Sequence, residues 1–281
     1  MSPIQALRRG VSRRVELVPM NPLEQLRAGR IVHRVAQLLV GLVLFGISMA
    51  LLLRAQLGLE PWGVLQYGLI QHIPMSYGAM SIVVSFVVLL LWIPLRQWPG
   101  LGTVLNAVVI GLAIDATLTV VPPIEGLARQ VPVMLLAIAG NGVAGAMYIG
   151  SQLGPGPRDG LMTGLARRTG RSIRLVRTSL EVTVVVLGFA LGGIVGVGTV
   201  LYALLIGPVV QFFLPILTVR VTPPAHHRDS AAVALSSPEE LELELEQAAG
   251  TQPAGLAGAG SSGSAVDGER EGQHAPSPGQ A

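Results

Sequence analysis

The sequence predicts an all-α polytopic membrane protein. The predicted protein consists of two inverted-topology repeats of three transmembrane helices, each with a Gly-Pro half-helix or re-entrant element. Three observations support this prediction. Apolar residues make up 51% of the chain and charged residues only 12%. The apolar residues form runs of about twenty, the length needed to cross a bilayer. Finally, the stretch 41–121 matches the stretch 137–217 at a constant offset of 96 positions.

Two blocks of sequence carry the internal repeat. QLGLEPWGVLQYGL (56–69) aligns with QLGPGPRDGLMTGL (152–165), with seven identities in fourteen. GLGTVLNAVVIG (100–111) aligns with GVGTVLYALLIG (196–207), with eight identities in twelve. Self-similarity at a fixed period indicates duplication. A unit with three spans must enter the membrane the opposite way the second time, so we expect a pseudo-two-fold axis in the membrane plane.

The apolar runs predict six spans. In chain order these are 32–53, 77–95, 101–121, 131–150, 176–195 and 199–219. They divide into repeat 1 (32–121) and repeat 2 (131–220), joined by an extracytoplasmic linker (122–130). Each repeat therefore has one span, then a Gly-Pro element, then two further spans.

The two ends of the chain differ from this apolar centre. Asn21-Pro22-Leu23-Glu24 is typical of a helix start, with Asn at the N-cap and Pro at the first helical position. Residues 1–31 are therefore predicted to be a basic cytoplasmic segment that ends in an interfacial helix. Residues 221–281 are rich in Pro, Gly, Ser and Ala and are predicted to be a disordered cytoplasmic tail.

The basic residues, all arginines, predict the orientation of the chain. With the N-terminus in the cytoplasm, sixteen arginines fall inside and two, Arg54 and Arg129, fall outside. Short loops rich in Arg stay on the cytoplasmic side, so both termini are predicted to be cytoplasmic. The chain has no cysteine, which excludes disulfides and thiolate metal sites.

The Gly-Pro elements, 61–73 and 157–168, are too long for a hairpin and too short to cross a bilayer. Each follows Gly-x-x-Pro, in which the glycine permits a sharp turn and the proline suits the first turn of a helix. These residues are Gly58 and Pro61 in repeat 1, and Gly154 and Pro157 in repeat 2. One interpretation is a pair of half-helices whose free N–H groups form a solute or ion site.

An alternative interpretation makes both elements amphipathic helices that lie flat in the headgroup region. Trp62 and Tyr67 would then be interfacial anchors. In the second copy, Arg158 and Asp159 either hold a ligand or lock the loop by a salt bridge. Both interpretations stay open at the level of sequence.

Polar groups inside the spans are further candidates, because such groups usually face the bundle interior. Asp115 is the strongest one, and its repeat partner Gln211 is also polar. Glu181 stands four residues after Arg177, which also fits a pair on one helix face. The secondary candidates Asn106 and Asn141 fit ligand contact or interhelical hydrogen bonding equally well.

The Gly-Pro elements, with RTSLEVTVVVLGFALGG (177–193) and GVGTVLYALLIGPVVQFFLP (196–215), resemble the YczE branch of the YitT/YczE group of bacterial integral membrane proteins. The resemblance covers about residues 32 to 220. In repeat 1 the family tends to have an acidic residue after the Trp, whereas this chain has Gly63, with Glu60 before the proline. The resemblance implies the fold and a location in the bacterial inner membrane, and it leaves the mechanism open.

The sequence favours a small-molecule or ion permease, because rocking one inverted repeat against the other gives alternating access. In this hypothesis Asp115 is the coupling or substrate-binding group. The alternative is a non-transporting membrane scaffold or regulatory partner of another complex. Motifs of ATPases, zinc hydrolases and serine hydrolases do not occur, so we expect no enzyme, cofactor or metal site. The expected partners are the bilayer and a small solute, not nucleic acid, and homodimerisation stays open.

Overall fold

The computed structural model describes residues 20–221, so most of the predicted N-terminal segment and nearly all of the predicted tail lie outside the described residues. The described part of the chain is all-helical. Its ten helices are α1 Pro22–Arg27, α2 Ile31–Ala55, α3 Pro61–Ile70, α4 Tyr77–Leu90, α5 Trp92–Leu95, α6 Leu101–Val120, α7 Leu127–Gly150, α8 Pro157–Thr169, α9 Ile173–Ala190 and α10 Val197–Leu217. α1 begins at the predicted position, where the Asn21 backbone N–H donates to Glu24 Oε2 over 2.9 Å.

Within residues 20–221, five helical segments are long and apolar enough to cross a membrane. They are α2, α4 together with α5, α6, α7 and α10. The predicted span 176–195 is not among them, so five of the six predicted spans have a segment of this kind. Its helix α9 has 18 residues and carries Arg174, Arg177 and Glu181 in its first half. α9 ends before the predicted boundary, where Gly192 turns the chain with a φ of 90°.

The sequence duplication is repeated in the secondary structure. α2, α3, α4 and α6 begin at positions 31, 61, 77 and 101, and α7, α8, α9 and α10 begin 96 positions later. Before the half-helices, Gln56 and Gln152 both have a φ of 54°. Gly58 and Gly154 have φ values of 121° and 117°, a region that favours glycine. Both copies therefore enter the half-helix through the same turn.

The repeats also exchange contacts in a symmetrical way. The N–H of Gly102 donates to the carbonyl of Leu153 over 2.7 Å, and the N–H of Gly198 donates to the carbonyl of Leu57 over 2.8 Å. The second hydrogen bond is the equivalent of the first, because Gly198 lies 96 positions after Gly102 and Leu57 lies 96 positions before Leu153. In the same way α3 packs against α9, and α8 packs against α4 and α5. Each half-helix thus packs against helices of the other repeat.

Helices α2 and α7 form the centre of the bundle and run antiparallel. Gly41 approaches the backbone of Tyr148, and one turn further along α2 the carbonyl of Phe45 accepts a hydrogen bond from Asn141 over 3.5 Å. Phe45 and Asn141 are equivalent positions of the two repeats. Equivalent positions of the two repeats therefore meet where these two helices cross.

The half-helix α3 lies inside the protein. Pro61, Trp62 and Gln66 are buried, and Trp62 packs with Met80 and Leu161. The flat-helix interpretation requires Trp62 to be an exposed anchor in the headgroup region. Its burial therefore favours a half-helix enclosed by other helices, where irregular backbone at membrane depth is tolerated.

Candidate functional site

A cavity of about 270 Å³ lies where the first residues of α3 and α8 meet. Eight of the predicted site residues line it: Pro61, Trp62, Asn106, Asn141, Arg158, Asp159, Glu181 and Gln211. Pro157, Gly58 and Gly154 are not among the lining residues; they begin and position the half-helices. Asp115 is also not among them. The structure thus brings together residues that are up to 150 positions apart in sequence.

Two equivalent residues face each other across the cavity. The guanidinium carbon of Arg158 lies 5.2 Å from the ring centroid of Trp62, in the geometry of a cation–π contact. Trp62 is the second residue of α3 and Arg158 is the second residue of α8. Both half-helices therefore direct their N-termini towards the same cavity.

Buried tyrosines hold other polar groups of the cavity. The hydroxyl of Tyr148 donates to Asp159 Oδ2 in a short hydrogen bond. The hydroxyl of Tyr202 donates to Asn141 Oδ1 over 2.8 Å. Because the acceptors are fixed by these bonds, Asp159 and Asn141 present defined positions to a ligand. Sequence reasoning did not select Tyr148 or Tyr202, because a tyrosine in an apolar run also fits ordinary helix packing.

Glu60 is the most deeply buried carboxylate that lines the cavity, with 2% of its surface exposed. It is the N-cap residue of α3. Its oxygens lie near the backbone N–H groups of Glu60 and Gly63, and among the described residues neither oxygen forms a hydrogen bond of ordinary geometry. Arg158 attracts this carboxylate electrostatically. The sequence feature that points to Glu60 is its place directly before Pro61, at the N-cap position of the predicted half-helix.

The mouth of the cavity lies between α9 and α10. Arg177 and Gln211 line the cavity and are exposed, whereas Glu60, Tyr148 and Tyr202 line it and are buried. Arg177 Nε donates to Glu181 Oε1 over 2.9 Å at this mouth. Arg177 and Glu181 therefore form an ion pair on one face of α9, and both side chains also line the cavity.

Asp115 has a different position from the other predicted site residues. Its carboxylate accepts hydrogen bonds from Ser76 Oγ over 2.5 Å and from the N–H of Gly78 over 2.8 Å. Asp115 belongs to α6, whereas Ser76 and Gly78 form the start of α4. The negative charge lies at the positive end of the α4 dipole, an arrangement that stabilises the contact. Asp115 thus holds α6 against the first turn of α4.

The helix pair of repeat 2 that is equivalent to α4 and α6, namely α9 and α10, is not packed together in this way. α4 packs along α6, whereas in the part of the chain described α9 and α10 make at most slight contact. A Cβ at Gly111 of α6 would lie 2.5 Å from the carbonyl oxygen of Gly78. At the equivalent Gly207 of α10, no described atom beyond the adjacent turns of α10 itself lies within 4 Å of that position. The bundle is therefore closed at one helix pair and open at its counterpart.

The outside of the bundle is apolar. Large side chains such as Phe86, Leu136, Phe189 and Leu204 are 47–65% exposed, on helices of spanning length or beside them. Water does not favour such a surface, whereas lipid tails do. An all-helical bundle with an apolar exterior, and with a cavity inside it that charged and amide side chains help to line, defines a polytopic membrane protein.

The chain belongs to a family described as a family of unknown function (DUF6198), whose model matches residues 32–215. It is similar to the uncharacterized membrane protein YczE of Bacillus subtilis, with 33% identity over 195 residues, 69% of this chain and 90% of that protein. An uncharacterized protein of Haemophilus influenzae is 44% identical over 180 residues, 64% of this chain and 83% of the relative. No solved structure matches. The resemblance to YczE-like membrane proteins is thereby confirmed.

Proposed function

We propose that this membrane protein is a permease for a small polar solute or ion, working by alternating access between its two repeats. The observation that carries the proposal is the asymmetry between equivalent helix pairs. The cavity is open between α9 and α10 and closed between α4 and α6. Each repeat can adopt the arrangement that the other has in this structure. The gap between α9 and α10 then closes and a gap between α4 and α6 opens, on the other side of the pseudo-two-fold axis.

The proposal includes an inverted topology in a bacterial inner membrane. α2 and α7 run antiparallel, and each repeat has three helices besides its half-helix, which supports a pseudo-two-fold axis in the membrane plane. The proposal takes α9, which is not among the five segments of spanning composition, as the sixth crossing. The arginines at 167–177 favour the cytoplasmic side for the loop between α8 and α9. With both termini in the cytoplasm, the proposal has the present mouth facing the cytoplasm, in an inward-open arrangement.

The exchanged state would have an outer mouth formed by equivalent residues. Counting back 96 positions from Arg177, Glu181 and Gln211 gives Ser81, Ser85 and Asp115. Ser81 and Ser85 already line the inner part of the cavity. The contact of Asp115 with the start of α4 is then the bond that breaks when the outer mouth opens. Asp115 acts in this proposal as a closing contact rather than as a solute ligand.

The lining favours a solute with hydrogen-bonding groups and a charge. Arg158, from one half-helix, and Glu60, from the other, offer opposite charges at the inner end of the cavity. Asn106 and Asn141 add amide groups. Buried polar groups of this kind bind strongly only to ligands that satisfy them, because an unsatisfied buried group costs about 1–3 kcal/mol.

Thermal stabilisation of the purified protein tests the proposal. The probes are libraries of small anions, amines, amino acids and sugars, since a ligand that binds the native state raises the melting temperature by mass action. We expect at least one class to stabilise the wild type and to lose its effect in Arg158→Gln. Arg171→Gln, which changes an exposed arginine beyond α8, is the matched control and should keep the effect.

Asp115→Asn separates the two hypotheses for that residue. If Asp115 only closes the outer mouth, the variant keeps the stabilisation by the same solute. Loss of stabilisation in Asp115→Asn with retention in Arg158→Gln would contradict the cavity as the solute site. Stabilisation by no compound, with all variants folded, would favour the non-transporting scaffold instead.

A further inference from the structure

The carboxylate of Glu60 is exceptional among the charged groups of the cavity. Asp159 accepts a hydrogen bond from Tyr148, and Glu181 is paired with Arg177. Glu60 is 2% exposed, and within residues 20–221 both of its oxygens are buried without an ordinary hydrogen bond. Burying a charge without full hydrogen bonding is costly, so burial favours uptake of a proton by this carboxylate relative to a carboxylate in water.

Glu60 occupies the place of a second, symmetrical carboxylate. In repeat 2 the N-cap residue is Gly156, and the carboxylate comes from Asp159 at the third helical position. In repeat 1 the N-cap residue is Glu60, and the third helical position is Gly63. A Cβ at Gly63 would lie 2.5 Å from Glu60 Oε1, so the Glu60 carboxylate fills the space of a side chain at position 63. Each half-helix therefore carries one carboxylate at its start, supplied from different sequence positions.

The groups that face Glu60 come from four helices. Arg158 of α8 favours its charged form, and Asp159 follows Arg158 on the same helix. Tyr77 of α4 and Tyr202 of α10 are buried and interact electrostatically with it. α9 contributes the pair formed by Arg177 and Glu181, which lines the same cavity. Among these groups Arg158 is the one cation without a carboxylate in direct contact in the described part of the chain.

We propose that Glu60 takes up and releases a proton through the cavity, and that the coupling ion of the permease is a proton. Its role in coupling rests on the proposed function; the proton exchange itself does not. In the charged form the carboxylate is attracted to Arg158 across the cavity. Uptake of one proton makes the carboxyl group neutral and removes that attraction. A solute that binds Arg158, or a shift of α8 against α3, then changes the proton affinity of Glu60.

Infrared difference spectroscopy across a pH titration of the purified protein tests proton exchange without any solute. We expect a protonated carboxyl C=O band that titrates in the wild type and is absent in Glu60→Gln. The band should lie at a higher frequency than that of exposed carboxyl groups, because this group is buried and has no ordinary hydrogen bond to a described protein atom. Glu125→Gln, at an exposed glutamate of the linker, is the control and should keep the band.

A rescue variant keeps the test independent of misfolding. Glu60→Gly should lose the band, and Glu60→Gly combined with Gly63→Asp should recover it, because the carboxylate then comes from the position that Asp159 occupies in repeat 2. A wild-type spectrum with no titrating carboxyl that depends on Glu60, over the pH range in which the protein stays folded, would overturn the proposal. If the band titrates and no solute is ever found, proton exchange stands and the permease function fails.

Discussion

Arg34→Met is expected to cause the largest loss of stability among single substitutions in this chain. The Arg34 side chain is fully buried and donates to three backbone carbonyls. Nε bonds to Ser151 over 2.8 Å, Nη2 to Gln152 over 2.6 Å and Nη1 to Gln25 over 2.5 Å. The guanidinium thus joins α1 and α2 to the end of α7. Methionine leaves these oxygens without their donors, which should cost at least about 3 kcal/mol in the free energy of unfolding.

Thermal and denaturant unfolding in detergent measures this loss. Arg27→Met is the matched control, because Arg27 is an exposed arginine of α1, and it should change stability little. Arg34→Lys should be intermediate, since one ammonium group cannot reproduce the planar fork of a guanidinium. Equal stability of Arg34→Met and Arg27→Met would show that the three carbonyl bonds do not hold these helices together.

Gly188→Ala is expected to separate the half-helix α3 from α9. A Cβ at Gly188 would lie 2.5 Å from the backbone nitrogen of Leu65 and 2.6 Å from the carbonyl carbon of Val64. These are backbone atoms of α3, so the added methyl group cannot be accommodated by a side-chain rotation. The expected loss is about 1–3 kcal/mol, as for other overpacked sites. Ligand-induced stabilisation should weaken as well, because α3 carries Glu60 and Trp62 into the cavity.

Gly207→Ala is the matched control for this crossing. Gly207 lies on the spanning helix α10, and no described atom beyond the adjacent turns of α10 itself comes within 4 Å of its Cβ position. The same change of one methyl group should therefore leave the unfolding transition close to that of the wild type. If the two alanine variants unfold alike, then α3 is not held against α9 in the way described.

The sequence was sufficient to predict the parts of the fold that depend on local pattern. A gap-free repeat with Gly-x-x-Pro before each short element predicts both half-helices, and they begin at Pro61 and Pro157 as expected. Long apolar runs predict the spanning helices, and five of them have the required length and composition. The exception is α9, where charges that face the cavity also lower the apolar character of the helix.

The site depends on tertiary contacts, and the sequence could predict only part of it. Polar residues in apolar runs identified Asn106, Asn141 and Gln211, which do line the cavity. The same rule selected Asp115, but the rule does not distinguish a cavity group from one that caps a neighbouring helix. The sequence did not identify Glu60 as a site residue, because its position in the site depends on Gly63, whose missing side chain leaves room for the Glu60 carboxylate.

Sided labelling of single cysteines tests the central claim most directly, and the natural chain contains no cysteine. Pro74→Cys and Gly170→Cys lie at equivalent exposed positions, and Ser85→Cys reports on the cavity. We expect a membrane-impermeant thiol reagent to label position 74 from outside and position 170 from the cytoplasm. Position 85 should react from the cytoplasmic side, and Asp115→Ala should increase its reaction from outside. Labelling of 74 and 170 from one side, or no outside reaction of 85 after Asp115→Ala, would contradict alternating access between inverted repeats.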